Sequence, residues 1–164
     1  NKLITELIDF AKPKKFNFVQ INPNKLLNDI VAEIETDFKK SDISVVCDFD
    51  LNINEINVDT DYFHQIILNL LLNAKEACKP NGKILIKTQG NTGKIDISVI
   101  DDGKGIEKEI MNKIFEPFFT KKAGGTGLGL TIVKRLTEGM QGNISVNNCQ
   151  GSGCEFVLSF PSNE

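Results

Sequence analysis

Apolar residues recur three and four positions apart in four segments of the chain, which is the period of an amphipathic helix. The first segment runs to Pro13 and the second begins near Pro23, because proline ends a helix but suits its first turn. The third begins at about Asp61 and is ended by the turn KPNG. The fourth covers residues 126–140. The pattern therefore predicts four helices.

Apolar and polar residues alternate in the other segments, which is the period of a strand. GKILIKTQG and GKIDISVID predict one β-hairpin, and GNISVNN and CEFVLSFP predict another. ISVVCDFD predicts a strand, FNFVQINP a short strand and NVD a brief extended segment, while KEIMNKIFEPF predicts a short helix. Regular strand–helix–strand crossovers do not recur. We therefore expect an α/β (α+β) two-layer sandwich, with a mixed, mainly antiparallel sheet covered on one face by about three helices.

The third helix carries asparagines among isoleucines and leucines, where an unpaired amide destabilises the core. Gln65, Asn69, Asn73 and Glu76 fall on one narrow stripe, because positions three and four apart share a helix face. We expect this amide stripe either to bond neighbouring backbone or to face a wet cavity that holds a polar ligand.

Three glycine-bearing loops follow this helix. VIDDGKGI places Asp101 at the end of a strand, as either a plain Asp-Gly turn or a ligand loop. GGTGLGL opens the fourth helix, where glycines let backbone approach a ligand and helix-start N–H groups bind phosphate. Its G-x-G-x-G spacing and the lack of a preceding strand argue against a dinucleotide-binding site. GSGCEF predicts a tight hairpin turn.

Length and composition limit the function classes. The chain has 164 residues, of which 40% are hydrophobic and 25% charged, as expected of one soluble globular domain. A net charge of −3 argues against nucleic-acid binding. Four cysteines without C-x-x-C spacing and a single histidine favour reduced thiols in a cytosolic protein over zinc or disulfides. No apolar run approaches the ~18 residues of a membrane span.

The motifs N-x-x-x-N, D-D-G-K-G, F-E-P-F, G-T-G-L-G-L and G-S-G-x-E-F occur in this order. Together they closely resemble the catalytic ATP-binding domain of two-component sensor histidine kinases, in the GHKL superfamily of gyrase, heat-shock chaperones and mismatch-repair proteins. The resemblance covers roughly residues 20–161 and implies a Bergerat-type ATP-binding fold. We expect residues 14–164 to form this domain and residues 1–13 to be the C-terminal end of a dimerisation helix.

The resemblance also implies roles for single residues. Asn73 would give a carbonyl oxygen to Mg²⁺ that bridges the ATP phosphates, and Asp101 would accept a hydrogen bond from the adenine amino group. Asn69, Asn73 and Lys121 would be catalytic. The complete implied ATP-binding set is Asn69, Asn73, Glu76, Asp101, Gly103, Gly105, Ile106, Phe115, Thr120, Lys121, Lys122, Gly125, Thr126, Gly127, Leu128, Gly129 and Leu130.

The implied activity is transfer of the γ-phosphate of Mg-ATP to a histidine on a separate dimerisation domain. His64 is disfavoured as that acceptor, because Gln65 rather than an acidic residue follows it; we expect it at a helix start beside the site. The implied partners are ATP, the protein's own dimerisation domain and a response regulator. The resemblance further implies a monomeric fragment of a homodimeric parent and a cytoplasmic domain, whether or not the parent is anchored in a membrane.

Two departures limit the resemblance, Glu76 and the lack of a phospho-acceptor histidine, and three rival functions stay open. Many relatives have Lys or Arg where this chain has Glu76, which moves phosphate neutralisation onto Lys121 or Lys122 in a mobile lid, or elsewhere. Gyrase-type hydrolases and anti-sigma-factor serine kinases carry a glutamate base where this chain has Asn69, and an amide cannot take a proton from water. The third rival is a non-enzymatic nucleotide-binding module. The phenylalanines of FEPFF form either a docking surface or core.

Overall fold

The computed structural model describes residues 2–12 and 14–162, and it confirms the four main helices that the apolar periodicity predicts. The predicted helix stop at Pro13 lies outside the described residues. Within those residues, none of the helices combines the length and hydrophobicity of a membrane span. The helices are α1 (Lys2–Ala11), α2 (Pro23–Lys40), α3 (Thr60–Ala77) and α4 (Gly129–Gly139). The strands are β1 (Val19–Ile21), β2 (Ser44–Phe49), β3 (Ile56–Val58), β4 (Lys83–Asn91), β5 (Lys94–Asp101), β6 (Asn143–Asn148) and β7 (Cys154–Pro161).

Five strands form one mixed sheet in the order β2-β4-β5-β7-β6. Both predicted hairpins are present, since β4 pairs with β5 and β6 pairs with β7 in antiparallel register. β2 runs parallel to β4, because the chain between them crosses over through β3 and α3. β1 and β3 pair in a separate two-stranded ribbon. The predicted two-layer fold with a mainly antiparallel sheet is confirmed.

The core lies between this sheet and helices α2, α3 and α4. Along β7 buried residues alternate with partly exposed ones, as expected of a strand with one face on the core. The matching helix surface is the apolar stripe of α3, whose residues Phe63, Ile66, Ile67, Leu70 and Leu71 are fully buried. The opposite stripe of α3 carries the amides, and the packing therefore fixes the direction in which they point.

A buried aspartate sets the start of α3 and hence the phase of its amide stripe. Asp59 is the N-cap, and its Oδ1 accepts hydrogen bonds of 3.1 Å from the backbone N–H groups of both Asp61 and Tyr62. Its other oxygen accepts the N–H of Asn17 at 2.7 Å. The Asp59 carboxylate thus caps α3 and also fixes Asn17, which precedes β1.

The prediction of a short helix in KEIMNKIFEPF is wrong. Residues 108–115 form successive turns, in which Lys113 N–H donates to Ile110 O at 2.8 Å and Glu116 N–H donates to Lys113 O at 2.9 Å. These bonds span three residues, whereas α-helical bonds span four. A segment this short forms too few helical hydrogen bonds to offset the free-energy cost of helix nucleation. The β-branched Ile110 and Ile114 lower its helix propensity further.

Phe10 at the end of α1 and Phe16 before β1 are docked on α4 and α3. The Arg135 guanidinium of α4 hydrogen-bonds the carbonyl oxygen of Phe10 and lies 5.2 Å from the centre of its ring. The Phe16 ring packs edge-on against Tyr62 of α3, with centroids 5.2 Å apart. It also covers Gly139, where a Cβ atom would overlap the ring.

We expect Gly139→Ala to displace Phe16 and to destabilise the domain by about 1–3 kcal/mol, the usual cost of overpacking. Urea unfolding measures the loss, and limited proteolysis of the segment before β1 measures the undocking. In a Phe16→Ala background the same change should be neutral or stabilising, since alanine is the better helix former once the ring is gone. Equal losses in both backgrounds would contradict the docking.

Candidate active site

The amide stripe of α3 faces the start of α4. Asn69 is half-buried, and its Nδ2 donates to the carbonyl oxygen of Gln65 one turn earlier at 3.0 Å. Its Oδ1 points at Gly129, where a Cβ atom would lie 3.3 Å away. The Asn69 amide therefore uses neighbouring backbone for its donor and leaves its oxygen at the helix contact.

Asn73 uses a different partner. Its Oδ1 accepts a hydrogen bond of 3.2 Å from the Lys122 ammonium, and the same ammonium pairs with the Glu76 carboxylate. The Asn73 amide oxygen and the Glu76 carboxylate project from one face of α3, and the Lys122 ammonium lies between them. The amide stripe therefore faces the glycine-bearing loop, and a cationic group already lies on the Asn73 carbonyl oxygen.

Asp101 is the last residue of β5. Its side chain is buried, and only 4% of the residue's surface is exposed. Its Oδ1 accepts the N–H of Gly103 at 2.8 Å, and its Oδ2 accepts the thiol of Cys154 at 3.0 Å. Burial and this hydrogen bond raise the pKa of the Cys154 thiol, so that it stays a protonated donor at neutral pH. The carboxylate is thus an acceptor in a fixed orientation.

The hairpin turn between β6 and β7 packs directly on the Asp101 loop. Asn148 bonds Ile106 twice, accepting its N–H at 2.8 Å and donating to its carbonyl oxygen at 2.7 Å. The Ser152 hydroxyl donates to the carbonyl oxygen of Gly103. Sequence reasoning missed Asn148, Ser152 and Cys154 as parts of this site, although GSGCEF was recognised as a motif; it is a hairpin turn and also a support for the loop.

The end of α3 meets the same loop. A Cβ atom on Gly103 would overlap the carbonyl oxygen of Ala77, so only glycine allows this approach. Asp102 accepts the N–H of Lys83 at 3.0 Å. Burial alone would raise the pKa of Asp102, but hydrogen bonds from Lys83 and from the Cys78 thiol outweigh it and lower that pKa. Burial and the Asp102 contact in turn raise the pKa of Cys78 to about 12.

The exposed loop over residues 116–126, which we name the lid, is closed at its base. The N–H of Phe118 donates to the carbonyl oxygen of Gly127 at 3.0 Å, and both residues have positive φ angles, 65° and 70°. A Cβ atom on Gly127 would lie 2.5 Å from a Phe118 backbone carbon. Farther along the lid, the Lys121 ammonium pairs with Glu107 at 2.6 Å and lowers the pKa of that carboxyl.

The phenylalanines of FEPFF divide between core and surface. Phe115 and Phe119 are half-buried, and the Phe115 ring packs edge-on against Phe156 with centroids 6.4 Å apart. Phe118 is 59% exposed. Of the two interpretations of this cluster, a docking surface therefore suits Phe118 alone.

His64 lies away from the amide stripe. Its Nε2 is 2.7 Å from the Glu33 carboxylate of α2, so its ring faces α2 rather than α4 or the lid. Five positions after His64, Asn69 has turned to another face of the helix. The expectation of a position beside the site is corrected to one at the contact between α2 and α3.

The helix α4 begins inside the glycine motif. Leu128 is its N-cap residue, is fully buried and supplies no side-chain hydrogen bond to the first turn. Leu130 is half-buried in that turn, and the Thr126 hydroxyl accepts the N–H of Leu128 at 3.4 Å. Backbone N–H groups of this first turn have no partner within the helix, as at helix starts that bind anions.

Contacts join four segments of the predicted site at one end of the sheet: α3, the loop after Asp101, the lid and the start of α4. The α3 residues are Asn69, Asn73 and Glu76, and those of the loop are Asp101, Gly103, Gly105 and Ile106. The lid and its flanks hold Phe115, Thr120, Lys121, Lys122, Gly125, Thr126, Gly127 and Leu128, and α4 begins with Gly129 and Leu130.

A family model described as histidine kinase-, DNA gyrase B- and HSP90-like ATPase matches residues 58–164. The chain belongs to this family. The family resemblance that the ordered motifs predict is therefore confirmed, and the part of the chain outside the match contains α1, β1, α2, β2 and the first two residues of β3.

Named relatives are sensor kinases. The signal transduction histidine-protein kinase AtoS of Escherichia coli K12 is 36% identical over an alignment of length 164, which covers 99% of this chain and 27% of AtoS. The catalytic domain of histidine kinase ThkA superposes with a TM-score of 0.82 at 33% identity, over 89% of this chain and 96% of that domain. Full-length ShkA, solved with AMPPNP, superposes with a TM-score of 0.87 at 25% identity, over 99% and 36%.

ThkA has also been solved in complex with the response regulator TrrA, and that ThkA chain superposes with a TM-score of 0.86 at 29% identity, over 99% of this chain and 47% of that one. The chain thus spans 26–37% of the length of the curated relatives it matches, AtoS and the ZraS kinases among them. It is a domain of the histidine kinase class of this ATPase family.

Proposed function

We propose that the chain binds Mg-ATP and donates its γ-phosphate to a histidine on a separate dimerisation domain. The observation that carries this proposal is the Asn73 carbonyl oxygen, which projects toward the lid and already accepts a cationic ammonium at 3.2 Å. Magnesium prefers oxygen ligands, so the amide of Asn73 together with phosphate and water suits it. Crystallisation of the relative ShkA with AMPPNP supports the nucleotide.

Each segment of the site would hold a different part of the nucleotide. The buried Asp101 carboxylate would accept the adenine amino group, and the loop that Asn148 fastens would lie against the base. The N–H groups in the first turn of α4 and the lid lysines would face the phosphates. Magnesium bound by Asn73 would neutralise phosphate charge and favour in-line transfer to an incoming imidazole.

Asn69 separates this proposal from the rival enzymes. A hydrolase or a serine kinase of the related classes needs a glutamate base at this position, and the amide of Asn69 can neither take a proton nor turn freely, since its Nδ2 is bonded to Gln65. A histidine acceptor needs no such base, because a neutral imidazole nitrogen attacks directly. We therefore favour transfer to histidine over hydrolysis.

The first helix supports the proposed domain division. Ile4, Leu7 and Ile8 of α1 are exposed by 55%, 36% and 47%, so an apolar stripe lies uncovered on the described part of this helix. We propose that residues 1–13 end a dimerisation helix of a homodimeric parent and that residues 14–164 are the ATP-binding domain. By analogy with ThkA and TrrA, a response regulator would be the next acceptor.

Radiolabelled ATP tests the transfer. Alone, the chain should bind nucleotide, hydrolyse it hardly at all and acquire no phosphate; mixed with the dimerisation domain of its parent, it should place acid-labile phosphate on a histidine there. His64→Gln should leave the transfer largely intact, because that ring pairs with Glu33 away from the lid. Self-labelling that His64→Gln abolishes would overturn the separation of donor and acceptor.

A further inference from the structure

Two adjacent lysines of the lid have carboxylate partners on different sides of the site. Lys121 reaches Glu107 beyond the Asp101 loop, and Lys122 reaches Glu76 and Asn73 on α3. The lid turn directs them apart, since the Thr120 hydroxyl accepts the N–H of Lys122 at 3.0 Å. Only Lys122 lies on an oxygen that the proposed function gives to the metal.

The Lys122 ammonium and a magnesium ion cannot both bind the Asn73 carbonyl oxygen at the same time. The Asn73 carbonyl oxygen lies 3.2 Å from the Lys122 ammonium, and Glu76 holds that ammonium in place from one turn along α3. A magnesium ion held by this oxygen would repel an ammonium at hydrogen-bond distance. Binding of the metal therefore requires Lys122 to move off Asn73.

We propose that Glu76 is a positioning residue which holds Lys122 on Asn73, and that the Lys122 ammonium and the metal exchange at this oxygen when Mg-nucleotide binds. The released lysine is then available to the γ-phosphate of ATP, which ADP lacks. Through Glu76, closure of the lid against α3 is thereby coupled to binding of the metal at Asn73. The proposal rests on the proposed function for the metal, whereas the pairing of Glu76 with Lys122 does not.

Hydrogen exchange of the protein without nucleotide tests the pairing. Glu76→Gln and Lys122→Gln should each speed exchange in the lid about two- to five-fold, which matches the modest strength of an ion pair that is half exposed. The double variant should exchange no faster than either single variant, and the reversed pair Glu76→Lys with Lys122→Glu should restore slow exchange. Lid exchange that none of these changes alters would overturn the pairing.

Calorimetry of ADP binding with and without magnesium tests the exchange of cations. We define the metal gain as the Kd without magnesium divided by the Kd with it. Lys122→Gln should raise this gain about two- to five-fold, the strength of the half-exposed ion pair that the metal no longer has to break. An unchanged gain in Lys122→Gln would overturn the exchange.

The pair Asp37–Lys75 is the matched control for both measurements. Lys75 lies between Asn73 and Glu76 in sequence, but its ammonium is 2.5 Å from Asp37 of α2 and stacks over the Phe38 ring. Asp37→Asn should leave lid exchange as in the wild type, and Lys75→Gln should leave the metal gain unchanged. If the metal gain rises equally in Lys75→Gln, the effect of Lys122→Gln comes from the loss of one positive charge near the site, and the exchange of cations at Asn73 is overturned. If the wild type binds no nucleotide the proposed function fails, while the exchange result still decides the pairing.

Discussion

Asn73→Ala should weaken Mg-ATP binding by about 1.5–3 kcal/mol, or roughly ten- to 150-fold, and should hardly change the binding of metal-free ADP. The alanine removes an oxygen that faces a cation, while metal-free ADP makes no use of that oxygen. Titration calorimetry with both ligands measures the difference. Asn73 is only half-buried on the lid side of α3, and alanine favours helix, so unfolding by denaturant should show no loss of stability.

Asn73→Asp is the matched control, because it keeps an oxygen at the same place in α3. It should retain binding of Mg-ATP, while Asn73→Ala loses it. If Mg-ATP and metal-free ADP lose the same affinity in Asn73→Ala, the residue acts on the nucleotide itself and has no place among the metal ligands.

Asp101→Asn should weaken ATP binding by a similar amount, about 1.5–3 kcal/mol, and GTP should compete poorly with ATP for the wild type. Both oxygens of the Asp101 carboxylate already accept hydrogen bonds, from the N–H of Gly103 and from the Cys154 thiol. An asparagine that still accepts from Gly103 turns its amide N–H₂ toward the thiol and toward the adenine amino group. Two donors then face each other where a donor faced an acceptor.

Cys154→Ser is the control for this prediction, since a hydroxyl replaces the thiol as donor and the carboxylate stays unchanged. ATP affinity close to that of the wild type is expected there, and competition binding with ATP and GTP measures all three proteins. Equal affinity of the wild type for ATP and GTP would remove Asp101 from recognition of the base.

The elements of the fold could be predicted from the sequence because their patterns are local. Residues three and four apart share a helix face and residues two apart share a strand face, so the bounds of α3 and of both hairpins follow from apolar spacing and from the turns beside it. The order of the glycine and asparagine motifs was likewise enough to predict the family. Local pattern failed in KEIMNKIFEPF, where helical spacing of Ile110 and Ile114 occurs in a segment that makes only turns.

The partners of the site residues were decided by the tertiary structure. The sequence placed Asn69 and Asn73 on one stripe but could not tell that the first bonds the backbone and the second a lid lysine, 49 positions away. It gave no sign that the Cys154 thiol, 53 positions from Asp101, holds that carboxylate. Such contacts depend on how the sheet order brings β7 beside β5 and how α4 packs on α3. Local periodicity fixes the face on which a side chain lies, whereas only the packed fold fixes what that face meets.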